Sequence, residues 1–473
     1  MITHRVAESL QGLQQALAAP PSTPASQLAA LALAIALLLL MLQIGTLIGR
    51  GLGVHQWGIP EALIAGSLAL AIAPAGWLPL IPPPVIALWD GLPLILLTLV
   101  FGTLLVGKPL PRLGGLWRPL SAQVLLALTL AFGQYLVAGL AVLLLLQPRF
   151  GMAPATACLI EVAFEGGHGS AAAMGPTYER LGVEGGSALG LAMATVGLLA
   201  STLLGGLVVV LARRLGWLGV AASPAPSSDG AGASAAAGSI APQLPTAALW
   251  ALNLAFAGVA VAIGCGLLAG LQTAAHRLGG GVAVVIDALP VFPLALIGSL
   301  LVRLVLERSG RAGLASLPVQ SRIGTFSADL LIVAATACLD LSLLVRDWLP
   351  LLVLALVGLI WNLAVVLLFG RRLLPAPWFE RGILEFGQAT GVAASGLLLL
   401  AMADPHDRGD ALTPFSIKQL LLQPLLAGGV ITVVAPLAVQ GLGLPLWTLL
   451  CGLLVLVWIA CGLWLGRSNT APG

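Results

Sequence analysis

The chain has 473 residues, 59% of them hydrophobic and 8% charged, with a formal net charge of +3 and a mean hydropathy of +1.05. Soluble globular chains carry roughly a quarter charged residues, so this sequence cannot cover itself with polar surface, and the lipid bilayer must be its solvent. No basic patch of the kind that binds nucleic acid is present, and continuous rather than alternating apolar runs favour helices over a β-barrel.

Residues 1–27 form a polar extension carrying Pro20, Pro21 and Pro24. No small-residue cleavage site follows the apolar run 28–42, which reads as a retained span rather than a signal peptide. A spanning helix needs about 20 apolar residues. Such runs predict spans at 28–48, 60–75, 85–107, 121–146 and 186–212, then 247–271, 282–306, 323–345, 349–370, 419–440 and 445–466. Two further apolar segments, 154–175 and 380–402, are interrupted by glycine and polar residues and read as re-entrant hairpins. Residues 220–246 are rich in Ala, Ser, Pro and Gly, which is linker composition. They separate a first half, 28–219, from a second, 247–440, and leave an extra C-terminal helix and tail at 441–473.

With the N-terminus outside and both hairpins returning to their side of origin, 16 Lys and Arg, Arg303, Arg381 and Lys418 among them, fall in cytoplasmic loops and span ends and 5 outside. The positive-inside rule predicts that bias and places the linker inside. Five spans per half is an odd number, so the two halves are inverted. A weak internal repeat accompanies the inversion. Phe164, Gly169, Ala171 and Ala172 match Phe386, Gly391, Ala393 and Ala394 at a constant offset of 222. The fold class is therefore all-α integral membrane, with two inverted five-helix repeats that each hold a re-entrant pore-loop hairpin. Inverted repeats with broken helices near the midplane mark secondary transporters.

The chemistry concentrates in the hairpins. Glycine lets the backbone turn where a Cβ would clash, and a broken helix exposes carbonyls on one stub and N–H groups on the other. Carbonyls suit Na+, and N–H groups at a helix N-terminus suit a carboxylate. The candidate residues are Gly166, Gly167, His168, Gly169 and Ser170 in the first hairpin, and Gln388, Ala389, Thr390 and Gly391 in the second. Glu161 and Glu165 flank the first group; each reads equally as an interface charge, and His168 as a tip residue making one hydrogen bond. Ionisable groups inside spans are functional candidates by default, which adds Asp287, Asp329, Asp340 and Glu385, with Asp90 read as interfacial. Asn362 and Gln134 read as well as glue between helices. The five cysteines sit singly in apolar runs without a CxxC pair, so neither a zinc site nor a disulfide framework is indicated. No HExxH, P-loop or dinucleotide fingerprint occurs. The nucleophile-elbow spacing is also absent around Ser170, so the reading is not an enzyme.

The run Leu159-Ile160-Glu161-Val162-Ala163-Phe164-Glu165-Gly166-Gly167-His168-Gly169-Ser170-Ala171-Ala172 resembles the first signature of the sodium/glutamate symporter family. Ala194-Thr195-Val196-Gly197 fits the span that follows it there, and Leu92-Pro93 through Gly107-Lys108 is similar to that family's third span. In the second half, Trp378-Phe379-Glu380-Arg381, Gly387-Gln388-Ala389-Thr390-Gly391-Val392, Asp404-Pro405 and Lys418-Gln419-Leu420 continue the resemblance, which covers roughly residues 28–440. It implies two pore loops meeting near the midplane, Na+-driven uptake of L-glutamate, no cofactor beyond Na+, and a homodimer working by alternating access. Carried over by position, the pore loops are residues 166–170 and 388–391. The sequence departs from the family in lacking paired glycines in the second loop, and Leu400-Ala401-Met402-Ala403 stands where an arginine often precedes the Asp-Pro.

The expected function is Na+-coupled symport of glutamate or a related small carboxylate in a bacterial inner membrane. Arg outnumbers Lys 19 to 2, which fits a GC-rich genome. The rivals are H+-coupled or Na+-coupled transport of another organic anion, and a membrane-embedded enzyme using Glu161, Glu165 and His168. A non-transporting scaffold has no use for broken polar hairpins in both halves.

Overall fold

The computed structural model describes residues 24–53, 60–74, 79–108, 117–218, 247–278, 286–287, 289–339, 345–405, 407–423 and 425–467. Among them every element is helical. In chain order these are α1 (Pro24–Leu52), α2 (Glu61–Ala71), α3 (Pro83–Asp90), α4 (Leu92–Thr103), α5 (Trp117–Ala141), α6 (Leu159–Phe164), α7 (Gly167–Arg180) and α8 (Gly186–Arg214). After the linker come α9 (Ala247–Leu278), α10 (Phe292–Arg308), α11 (Leu317–Ala337), α12 (Trp348–Leu373), α13 (Trp378–Ala403), α14 (Leu412–Leu422), α15 (Val430–Leu442) and α16 (Leu444–Arg467). Among the described residues eight stretches are long and apolar enough to cross a membrane: α1, α3 with α4, α5, α8, α9, α12, α13 and α16. That is the pattern of a multi-pass membrane protein.

Glycine and proline set where the helices stop. Gly91 and Pro93 divide α3 from α4, because proline cannot donate into the preceding turn. Ahead of Pro148, α5 widens into a π-turn over Val142–Leu146 before its last turn, Gln147–Phe150. Four of the predicted spans differ, among them 323–345, most of whose described residues belong to α11, which is not one of the eight. The run 60–75 yields only the 11-residue α2, too short to cross a bilayer by itself. Of the run 282–306, residues 286–287 are helical and α10 begins at Phe292, after Pro290, while 282–285 and 288 lie outside the described residues. The run 419–440 is split between α14 and α15. The linker 220–246, the first 23 residues and Asp340 lie outside the described residues.

Segments 154–180 and 378–403 both double back. A 3-10 turn, Pro154–Cys158, leads into α6, and the chain reverses at residues 165–167 into α7. At the far end of this hairpin a β-carbon built on Gly182 would lie 3.9 Å from Cβ of Ala153. Helix α13 reverses at Gly391 and Val392, where φ/ψ leave the helical range. Its two arms touch so closely that a β-carbon on Gly387 would lie 2.5 Å from Cα of Gly396.

Helix α8 runs past both hairpins. Gly190 packs on Ala171, Gly197 on Phe164 and the Thr390 carbonyl, Ser201 on Gly391, and Gly205 on Leu399. At its end Arg213 donates to the Met402 carbonyl at 2.8 Å. Travelling along α8 one therefore descends the first hairpin from base to tip and then the second from tip to base. The hairpins enter from opposite ends and meet beside the middle of a 29-residue helix.

Separate cores hold them. Phe164 and Tyr178 of the first hairpin pack in one core with Phe101, Tyr135 and Phe292, and Phe379, Phe386 and Leu399 of the second in another with Val365. A third core joins α1, α2, α3 and α11 around Trp89, whose indole donates to the Ala34 carbonyl at 3.0 Å. The C-terminal α16 packs on α5, where Gly139 meets Thr448, and on α12, where Gly462 meets Leu373.

Candidate functional site

The two tips touch. Gly167 has φ +69, and a β-carbon on it would lie 2.5 Å from Cγ1 of Val392. Val392 itself has φ 65 and ψ 172, a region nearly reserved for glycine. A non-glycine residue held there costs on the order of 1–3 kcal/mol. The offset of 222 would align Gly167 with Ala389, which is helical and buried; the second break comes one turn later. Gly166 caps α7 without a side-chain hydrogen bond, and a helix start leaves its first N–H groups without intrahelical partners.

A third break reaches the same place. Between α14 and α15 the backbone passes through Ala427 (φ 54) and Gly428 (φ 94), and Gly428 lies directly against Ser170. Glu161, fully buried in α6, binds this segment to the first hairpin. Its carboxylate accepts from Tyr135 Oη at 2.6 Å, from Thr432 Oγ1 at 2.8 Å and from the Ala427 N–H at 3.1 Å. Three donors from three elements account for the charge without a cation.

The second tip is braced by amides. Gln134 and Asn362 donate to the Ala389 carbonyl at 2.7 and 2.9 Å, and Asn362 also reaches Thr390 Oγ1 at 3.1 Å. Gln134 donates to Asn362 at 3.2 Å, so both act as the glue the sequence allowed. Ser395 Oγ donates back to the Gly391 carbonyl across the kink. On the first tip His168 Nε2 lies 3.0 Å from Thr195 Oγ1 of α8. Farther up the second hairpin, Glu385 and Lys418 form an ion pair at 2.8 Å, each 1% exposed, with the ammonium over the Phe415 ring.

A cavity of about 290 Å³ opens beside the junction, walled by Gly166–Ser170, Gln388, Val392–Ala394, Gln419, Gln423 and apolar residues of α4 and α11. Glu165 faces it, 5% exposed, with Oε2 lacking any hydrogen-bond partner; Gln388 Oε1 lacks one too, at 2% exposure. A larger groove of about 880 Å³ runs between α4, α9 and α11. Its walls are outward apolar side chains such as Leu254 and Phe326, which places it on the surface that would meet lipid.

The remaining sequence candidates lie elsewhere. Asp329 sits in that outer groove. Asp287 is exposed ahead of α10 and 3.1 Å from His276, and Asp90 is exposed at the end of α3. Among the described residues no three His, Cys, Asp or Glu side chains group as a metal site, so Glu161, Glu165 and His168 do not form one. Lys418 was expected at a cytoplasmic span end, and so were Arg303 and Arg381; all three are buried. Tyr135 and Thr432 carry site contacts that the sequence did not single out; Thr195 entered only through the family resemblance, and Lys418 through that and the charge bias, both without these contacts. Helical spacing gave no hint of them, because their partners lie on other elements, 26 to 33 residues away for Tyr135, Thr195 and Lys418 and 271 for Thr432. No family model, curated protein or solved structure matches the chain.

Proposed function

We propose that this protein is an ion-coupled secondary transporter of a small carboxylate, working by alternating access, with L-glutamate or a close relative as the sequence resemblance implies and Na+ as coupling ion. The observation that carries the reading is the tip-to-tip meeting of two broken helices that enter from opposite ends of α8. In a bilayer, non-helical backbone is tolerated only when buried in protein or lining a cavity, and the two tips pack on each other and on α8 and border a cavity. The returning arms, α7 and the second arm of α13, start with N–H groups directed at a bound carboxylate. Carbonyls on the preceding arms suit Na+. In this reading the hairpins are re-entrant and belong to two inverted repeats. The host is a bacterial inner membrane with the linker inside, and the assembly is a homodimer.

One feature favours H+ as the rival coupling ion: Glu165 is a buried carboxylate facing the cavity with an oxygen that has no hydrogen-bond partner, and carboxylates inside membrane proteins mark proton relays. The deciding experiment is uptake of radiolabelled L-glutamate and neutral amino acids into proteoliposomes, under an inward Na+ gradient and under the same gradient of choline. Uptake with Na+ alone supports the proposal. Uptake indifferent to Na+ and steep in pH replaces Na+ with H+, and no uptake of any of them by folded protein refutes the cargo.

A further inference from the structure

Resting on the transport reading, we propose that the cargo is an α-amino acid of zero net charge rather than a dianionic acid. Glu165 holds its α-ammonium and the N-terminal turns of the two returning arms hold its α-carboxylate.

The charges on the cavity wall lead to this assignment. Among the described residues lining it, Glu165 is the one Asp, Glu, Lys or Arg. The nearest cation, Lys418, is 1% exposed and spent on Glu385 at 2.8 Å. Arg381 turns to the base of the hairpin, where it donates to the Gly409 carbonyl at 3.2 Å. Glu161, Lys418 and Glu385 act on Glu165 electrostatically. The largest of the three influences comes from Glu161, a carboxylate, while Lys418 and Glu385 oppose each other as a pair. Glu161 is answered by three donors and Glu385 by Lys418. Glu165 Oε2 has no partner, and a buried carboxylate in that state is stabilised by a cation brought to it. An α-ammonium is such a cation, and its three donors also suit the free Gln388 Oε1 on the same wall.

The positive ends of two helices face the same space. Helix α7, 14 residues long, starts at Gly167, and the second arm of α13 starts after Val392. Their dipoles and free N–H groups answer one carboxylate. A second carboxylate, as on glutamate, finds no Lys or Arg and meets the field of Glu165. Gln388, Gln419 and Gln423 instead offer amides to a polar, uncharged side chain. At about 290 Å³ the cavity is at the small end of ligand sites, which fits a single amino acid.

The test uses the full chain in lipid nanodiscs with Na+ present, reading the shift in thermal unfolding temperature with L-glutamine, L-alanine, L-glutamate and glutarate. Glutarate keeps two carboxylates and lacks the ammonium. The expected result is that the better of the two neutral amino acids binds at least 10-fold more tightly than L-glutamate, and that glutarate gives no shift. Glu165→Gln should lose at least 10-fold of that neutral amino-acid affinity while unfolding at the wild-type temperature without ligand. The exposed Glu184→Gln should match the wild type. If L-glutamate or glutarate binds as well as either neutral amino acid, or if Glu165→Gln binds like wild type, the assignment is wrong and the transport reading survives. If Glu165→Gln does not fold, the ranking on wild type decides alone. If none of the four binds, the assignment and the proposed cargo fall together.

Discussion

Replacing Gly167 with alanine should separate the two hairpin tips, and its cost can be read from the geometry. The residue has φ +69, where an L-residue loses about 1–2 kcal/mol. The new methyl would lie 2.5 Å from Val392 Cγ1, about 1 Å inside ordinary contact, and overpacking of that kind costs about 1–3 kcal/mol. The total is about 2–5 kcal/mol. Only the contact part can be relieved, by Val392→Ala, which removes the colliding Cγ1 and leaves the backbone strain. A double-mutant cycle on thermal unfolding in detergent should therefore give a favourable coupling of about 1–3 kcal/mol. Exposure of the buried thiols of Cys158 and Cys451 to a maleimide dye reports the unfolding. Additive behaviour, with coupling under about 0.5 kcal/mol, would mean that the tips do not meet.

Further substitutions test the polar groups, two of the sites buried and one exposed. Glu161→Ala strands the donors of Tyr135, Thr432 and Ala427 and should cost about 3–5 kcal/mol, at 1–3 kcal/mol for each unsatisfied group with partial relaxation; Glu161→Gln, which still accepts from two of them, should cost less than half as much in the same dye assay. Lys418→Met leaves Glu385 uncompensated at 1% exposure and should cost about 3–5 kcal/mol. Adding Glu385→Gln should restore most of it, and failure to do so would show that the pair is not the source of the loss. Arg346→Ala breaks exposed pairs with Glu184 and Asp347 and should change stability by less than about 0.5 kcal/mol.

Much of the helical frame was legible because lipid-facing helices are apolar on nearly every side, so Leu, Ala and Val runs mark them directly. Both hairpins were legible for the opposite reason, since Gly166-Gly167 and Gln388 through Gly391 interrupt such runs. Where in the second segment the chain would turn was not: Val392 takes the glycine-like conformation while Gly391 stays at negative φ, an exchange that packing against Gly167 and Ser201 decides. The break between α14 and α15 had a signal in Pro424 and Gly428-Gly429, outweighed by the surrounding leucines. Lys418 looked like a span-end charge because its partner, Glu385, lies 33 residues earlier on another element. Glu161 and Glu165, four residues apart, looked like one pair. Their separate fates, one saturated with donors and one facing a cavity, depend on α5 and α15, which no local pattern relates to them.

The claim that one site between two hairpin tips opens to each side of the membrane in turn is tested most directly by thiol accessibility. Ala394 lines the cavity; Ala394→Cys, in a chain whose five native cysteines are replaced by alanine, would be probed with a membrane-impermeant reagent in sealed vesicles of each orientation. Labelling from both faces, with the balance shifted by Na+ and by a transported amino acid and blocked by saturating amino acid, is the predicted result. Labelling from one face alone under every condition would contradict alternating access.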